Sequence, residues 1–236
     1  MGKECLVIPT TNAETFIYGD RGKVREYTPI KDFAELIRFI NMVRNLGLYR
    51  SRDGNNNVEL DQNFQQLIMY GFVMNQDGKF LIYTRNSGQN YQENRLSGKV
   101  ACGIGGHIEP SDSNLPQSFY REFEEESQIF VNGQLINLKK PDGGLNIKLM
   151  KKYLSITPVG LIKYEGDEVS KVHLGIACKI VPLKENVEIR IKTGENEENI
   201  SWQYVNSNEY QQMKDAEQIV PEGWTEVVFQ NELIGK

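Results

Sequence analysis

Cysteine, histidine and tryptophan are scarce in this chain of 236 residues, which holds three, two and two of them. Cys5, Cys102 and Cys178 are widely separated, odd in number and set in apolar contexts such as GIACKIV. That pattern excludes a disulfide framework and reads as reduced core residues of a cytoplasmic protein. Long apolar runs are missing too. No stretch approaches the length of a membrane span, and MGKECLVIPTT has no extended hydrophobic region, so no membrane partner is expected. Leu6 stands where a myristoylation signal needs Ser or Thr. Basic residues are not in excess: 27 Lys and Arg face 32 Asp and Glu, for a formal charge of −5. This balance argues against duplex DNA as a partner. No repeat at a fixed period is visible. What remains is ordinary globular usage, 39% hydrophobic and 25% charged, in a chain long enough to bury most of its apolar surface.

The first sixty residues differ from the rest. Cys5 to Pro9 and Thr15 to Tyr18 read as short strands, and Ile30 to Leu46 as a helix with Phe33, Leu36, Ile37, Ile40 and Val43 on one face, ended by Gly47. That face needs a cover. The polar run RSRDGNNNVELDQN reads as a loop or linker. From Gln66 the pattern turns to strands, with LIMYGFVMN and KFLIYTR joined at Asp77-Gly78 as a hairpin. VACGIGGHIE predicts a strand that breaks at its glycines and feeds an acidic helix. FVNGQLI suggests a second hairpin at Asn132-Gly133. KYLSITPVGLIKY and KVHLGIACKIV predict longer strands around the acidic loop EGDEVS, and ENISWQYVN a last strand. EYQQMKDAEQIV and WTEVVFQNELIG predict two closing helices.

The acidic helix is the most informative segment. Arg121, Glu122, Glu125 and Glu126 place one cation and three anions within six positions. At roughly 100° per residue, the three carboxylates project close together, where like charges three and four apart repel. A divalent cation turns that repulsion into binding, because hard cations prefer carboxylate and carbonyl oxygens. Asn114 suits the cap, Pro116 the first turn, and Leu115, Phe119 and Phe123 the core face. The bland alternative is a solvated charged face. The glycine pair is not a dinucleotide fingerprint, because GIGGHIE lacks the third glycine of GxGxxG.

Residues 105 to 129, GGHIEPSDSNLPQSFYREFEEESQI, resemble the Nudix box, G-x5-E-x7-R-E-U-x-E-E-x-G-U with U a bulky apolar residue. Gly106 matches the first glycine, Arg121 to Glu126 match REUxEE position by position, and Ile129 fills the final apolar place. The sequence departs at Asp112, which stands for the first Glu with one extra residue before Arg121, and at Gln128, which replaces the last glycine. YTRNSGQNYQENRLSGKVACGIGGHI and KVHLGIACKI look like a Nudix subgroup with an N-terminal extension, labelled as phosphoesterase. The resemblance implies an α/β/α sandwich with a central mixed sheet and a loop-helix-loop box. It places the Nudix domain at residues 66–236 and an extension at residues 1–60, packed on that domain or forming a homodimer contact.

The same resemblance implies a hydrolase that cleaves a diphosphate linkage, usually of a nucleoside diphosphate joined to another group, by metal-activated water attacking phosphorus. Mg²⁺, or Mn²⁺, would neutralise phosphate charge and activate the water. The carbonyl of Gly106 and the carboxylates of Glu122, Glu125 and Glu126 are then the metal sphere, with Glu126 the principal ligand. Glu122 or Glu125 is the favoured base, beside Arg121, and Glu165, Asp167 and Glu168 on the later loop are alternatives. Two other readings compete. A non-catalytic nucleotide-sensing module typically loses box carboxylates, and this chain keeps all three. An isopentenyl-diphosphate isomerase-like enzyme relies on a His-rich metal site and a catalytic cysteine, which two histidines and a strand-buried Cys102 do not supply.

Outside the box, Arg85 and Arg95 could clamp substrate phosphate or form surface ion pairs. His107 could touch a ligand or bond to backbone, and His173 reads as structural with metal ligation a minor alternative. Tyr83 and Tyr91 could stack a base, although packing suits them better, and Trp202 and Trp224 read as core anchors.

Overall fold

A computed structural model of the protein describes residues 4–17, 26–54, 57–85, 97–192 and 201–231. Its N-terminal elements are β1 (Glu4–Pro9), α1 (Thr10–Ile17), β2 (Tyr27–Pro29), α2 (Phe33–Leu46), β3 (Leu48–Ser51) and β4 (Phe64–Val73). Next come β5 (Phe80–Thr84), β6 (Val100–Ala101), β7 (Gly103–His107), α3 (Leu115–Glu126), β8 (Ser127–Val131) and β9 (Gln134–Leu135). The C-terminal part holds α4 (Ile147–Tyr153), β10 (Leu154–Ile162), β11 (His173–Pro182), β12 (Val187–Ile191), β13 (Trp202–Val205), α5 (Ser207–Asp215) and α6 (Gly223–Gln230). The chain divides into two compact units. The first comprises Met1–Tyr70, Gly105–Phe119 and Pro158–Cys178, and the second Gly71–Ile104, Tyr120–Thr157 and Lys179–Lys236. The boundary falls inside β4, β7, β10, β11 and α3.

The first unit is organised by a sheet of order β2-β10-β11-β4-β1-β3, with β7 also paired to β4. β1 runs antiparallel to β3, with Cys5 opposite Arg50, and to β4, with Val7 opposite Gln66. Gly105 in β7 has φ +146°, and a Cβ there would lie 1.8 Å from the carbonyl oxygen of Met69. Only glycine allows that approach to β4. The expected break at the glycines is therefore corrected: β7 continues through Gly105 and Gly106 to His107.

The polar run before β4 is not a bare linker. A 3-10 turn at Val58–Leu60 buries Val58 against Cys5 and Val7, with Phe64 packed on the same cluster. Burying such a side chain contributes about 1.5–3 kcal/mol, enough to anchor Glu59 next to it. The residues expected as a strand from Thr15 fold instead as the end of α1, whose Ala13 and Ile17, four apart, are buried. In α2 the Asp32 side chain accepts from Glu35 N at 2.8 Å and caps the helix. Its buried residues are Phe39 and Val43, whereas Phe33 is 75% exposed, so the apolar face is rotated from the one expected.

The second unit has two further sheets, of order β12-β8-β9 and β13-β5-β6. The turn at Asn132-Gly133 is the expected hairpin, with φ of 51° and 76° at these residues. The Asp77-Gly78 turn also forms, but antiparallel pairing beyond it stops at a single bridge, Met74 to Phe80. β5 pairs along its length with β13, Phe80 opposite Val205. Tyr210 stacks on Phe229 at 3.7 Å, and Phe229 packs against Phe80 at 5.3 Å, which seats α5 and α6 on β5. Trp224 is buried on α6, as a core anchor should be, and Trp202 is half-buried. Helix α4 and strand β12 have no counterpart in the sequence reading, and α5 ends at Asp215, five residues early. All three cysteines are free and buried. No helix among the described residues is long and apolar enough to cross a membrane.

Candidate functional site

Helix α3 starts where Asn114 predicts: its side chain accepts from Gln117 N at 3.0 Å. Phe119 and Phe123 are fully buried, four residues apart, and fix the roll of the helix. That roll leaves the Glu122 side chain only 12% exposed and turns Glu125 outward at 52%. Arg121 donates to both, at 2.7 Å and 3.4 Å. Burial pushes the Glu122 carboxyl up to about 7; Arg121 opposes the shift, and the charges of Glu126 and Glu125 add to it. Three carboxylates with one guanidinium leave an excess of negative charge suited to a divalent cation.

Glu124, at the variable position of the motif, points elsewhere, to Lys192 at 3.3 Å and Lys139 at 3.8 Å. The C-terminal end shows what replaces the glycine lost at Gln128. Lys192 N donates to Glu126 O at 2.8 Å and its ammonium to Glu124 O at 2.9 Å. These bonds satisfy carbonyls at the helix end. Gln128 sits within β8, opposite Arg190.

Gly106 lies half-buried in β7, within the first unit. Asp112 is buried and accepts from Glu109 N at 2.9 Å, while its own N–H donates to Glu109 O at 3.0 Å. It therefore closes the loop leading to α3. On the acidic loop, Asp167 accepts from Ser170 N at 2.7 Å, Glu168 pairs with Lys171, and Glu165 is exposed. Buried Lys163 donates to the carbonyls of Ser170 and Lys171; burial draws its amine down to about 8, against the pull of Glu165 and Asp167.

Arg85 is held in an ion pair. Its Nε donates to Glu222 Oε2 at 2.9 Å and its Nη2 to Glu222 Oε1 at 3.4 Å, with both side chains largely buried. Tyr83 is buried and its hydroxyl donates to Gly103 O at 2.7 Å, so its ring packs and does not stack a base. Arg95 and Tyr91 lie outside the described residues.

The first unit assembles a second group: it joins His107, a possible ligand contact in the sequence, and His173, for which metal ligation is the minor alternative, to Glu59, which the sequence does not single out. The ligand atoms of Glu59, His107 and His173 all lie within 4.8 Å of one another and could hold a metal ion. His107 Nε2 is 3.2 Å from His173 Nε2 and 2.9 Å from Gln66 Oε1, and His173 Nε2 is 4.0 Å from Glu59 Oε2. Each comes from a different element: the 3-10 turn, β7, the start of β11, and for Gln66 the start of β4. Behind them, Arg52 Nε donates to Glu59 Oε1 at 2.8 Å, and His173 Nδ1 donates to Val169 O. A carbonyl can only accept, so Nδ1 carries a proton and the lone pair of the neutral ring lies at Nε2. Burial draws the His173 imidazolium down, against the pull of Glu59. Burial pushes the Glu59 carboxyl up, yet His173, Arg52 and Gln66 together hold it below the ordinary value. Glu59 and Gln66 carried no signal in the sequence. The one available hint was that the chain has just two histidines.

No family model matches the chain. Protein YmaB of Bacillus subtilis (strain 168) is 29% identical over 143 residues, a match covering 58% of this chain and 58% of YmaB. The matched segment thus spans less than two thirds of that relative. The solved structure of Tm1382, described as a "putative Nudix hydrolase", superposes with a TM-score of 0.63 at 20% identity, covering 98% of each chain. At that identity the likeness shows the fold alone: the chain shares the mixed α/β fold of Tm1382.

Proposed function

We propose that this chain is a Nudix hydrolase that cleaves a phosphoanhydride of a nucleoside diphosphate joined to another group. The observation that carries this reading is Glu122. It is a buried carboxyl raised to about 7, within a REUxEE run on a capped helix and beside two further carboxylates. A group with its pKa near working pH suits a general base. The excess negative charge of α3 fits a divalent cation, with Glu126, Glu125 and Glu122 as the carboxylates that would hold it. Bound there, Mg²⁺ or Mn²⁺ would neutralise phosphate charge and lower the pKa of water.

In the proposed reaction, water oxygen bonds to phosphorus, the bond from phosphorus to the bridging oxygen breaks, and the water proton passes to a carboxylate of α3. Glu122 is the favoured acceptor and Arg121 orients its carboxylate through the 2.7 Å bond. On the acidic loop, Asp167 is engaged with Ser170 N and Glu168 with Lys171, which leaves exposed Glu165 as the loop alternative to the helix carboxylates. A panel of nucleoside triphosphates, ADP-ribose, dinucleoside polyphosphates, NAD(H), nucleotide sugars and CoA, with Mg²⁺ or Mn²⁺, tests the reading. Turnover of at least one member with release of a phosphomonoester is expected. No turnover across the panel would overturn it.

A further inference from the structure

We propose that Glu59, His107 and His173 form a second metal site, separate from the carboxylates of α3, selective for a Zn²⁺-class ion and closed by Gln66 Oε1. The geometry points to it. Around a tetrahedral ion with bonds of about 2.0–2.1 Å, neighbouring ligand atoms stand roughly 3.3–3.4 Å apart. The two imidazole Nε2 atoms are 3.2 Å apart, Gln66 Oε1 is 2.9 Å from His107 Nε2, and Glu59 Oε2 is 4.0 Å from His173 Nε2. These three separations bracket the tetrahedral value and the ligand atoms of Glu59, His107 and His173 all lie within 4.8 Å; metal binding moves the His107 proton from Nε2 to Nδ1 and draws the side chains onto the ion.

The surroundings are those of a ligand set. His173 Nδ1 donates to Val169 O, which presents the Nε2 lone pair to the cluster. Arg52 fixes the far oxygen of Glu59. Outer partners of this kind orient metal ligands and set their tautomers. Two imidazoles and two oxygens suit a borderline ion such as Zn²⁺ better than Mg²⁺, which keeps an octahedral oxygen sphere. With four protein donors and no open position, the site is structural. It would lock together the N-terminal 3-10 turn, β4, β7 and β11, and so tie the first sixty residues to the strand that precedes the box.

The competing arrangement is a bare hydrogen bond between the rings, in which His107 donates to the Nε2 lone pair of His173. Titration of the metal-free full chain with Co²⁺, followed by its visible d–d absorption, separates the two. One equivalent giving the intense bands of tetrahedral Co²⁺, unchanged in excess Mg²⁺ and displaced by Zn²⁺, is the expected result. The bands should persist in Glu122→Gln/Glu126→Gln, which tests this site apart from the hydrolase reading. They should be lost in His107→Ala, with Zn²⁺ affinity falling by more than the roughly 10–100-fold that an outer-partner change causes. Because His107→Ala could unfold, Glu59→Ala is measured beside it and circular dichroism checks both. Only weak octahedral bands, no bound Co²⁺, or bands that survive in the folded His107→Ala or Glu59→Ala protein would overturn the proposal.

Discussion

The two clusters of ligand-type side chains are built differently. Glu122, Glu125 and Glu126 come from one stretch of helix and carry like charges, with Arg121 paired to Glu122 and Glu125. Glu59, His107 and His173 come from three elements, and each is held from behind, by Arg52, by β7 pairing and by Val169. The helix gathers like charges whose repulsion a hard cation can relieve. The second cluster presents the directed Nε2 lone pair of His173, which suits a softer ion. Like charges on a single helix suit a site of turnover, whereas donors gathered from several strands suit an ion that holds a sheet together.

The contrast can be broken most sharply through the base. Glu122→Gln keeps the shape of the side chain and removes its charge, and should lower kcat by roughly 10²–10⁴-fold, measured on whichever substrate the panel identifies. An unchanged kcat would move the base to another residue, with Glu165, exposed on the acidic loop, as the next to test. A second break lies at Gly105, on the His107 strand. Gly105→Ala forces a side chain against Met69 O at a φ of +146°, and should destabilise the protein by about 3 kcal/mol or more. Denaturant unfolding checks this, and a loss under 1 kcal/mol would show that β7 can move away from β4.

Arg85 separates a clamp from a strut. Because Glu222 is buried beside it, Arg85→Ala should cost about 2–4 kcal/mol of stability and leave KM within about twofold. A large rise in KM with stability intact would return Arg85 to the substrate. The smallest effect is in the pH dependence of the metal-free protein. The folded Glu122 carboxyl titrates near 7, above its ordinary value of 4.5, so folding disfavours its charged form. No penalty exists below about 4.5; it grows between 4.5 and 7 and is complete above. Glu122→Gln should therefore gain on the order of 1–3 kcal/mol relative to the parent at pH 8 and nothing at pH 4. The lost bond to Arg121 offsets part of the gain, and an equal difference at both pH values would contradict the shift.

What could be read from the sequence follows the same division. REFEEE is local: its spacing alone places the charges on one helix, and Asn114, Phe119 and Phe123 set that helix's start and roll. The His cluster depends on pairing between β4 and β7 and on Val58 dropping into the core, and neither leaves a mark within a window of neighbouring residues. The same holds for the Asp77-Gly78 turn. Its residues dictate the bend, but tertiary pairing with β13 decides where β5 goes. Phe39 was missed on α2 because Phe33 and Ile37 matched the helical period equally well, and only the packing partners choose between faces. Gln128 removed an expected glycine, and its substitute, Lys192, is more than sixty residues away.

In the function proposed above, the carboxylates of α3 hold the ion that drives phosphoanhydride cleavage. Mg²⁺-dependent turnover of the panel substrate, compared between the parent chain and Glu126→Gln, tests it most directly. Saturable Mg²⁺ dependence is expected in the parent, with loss of both turnover and that dependence in a folded Glu126→Gln protein. Full activity in Glu126→Gln with the same Mg²⁺ response would contradict it.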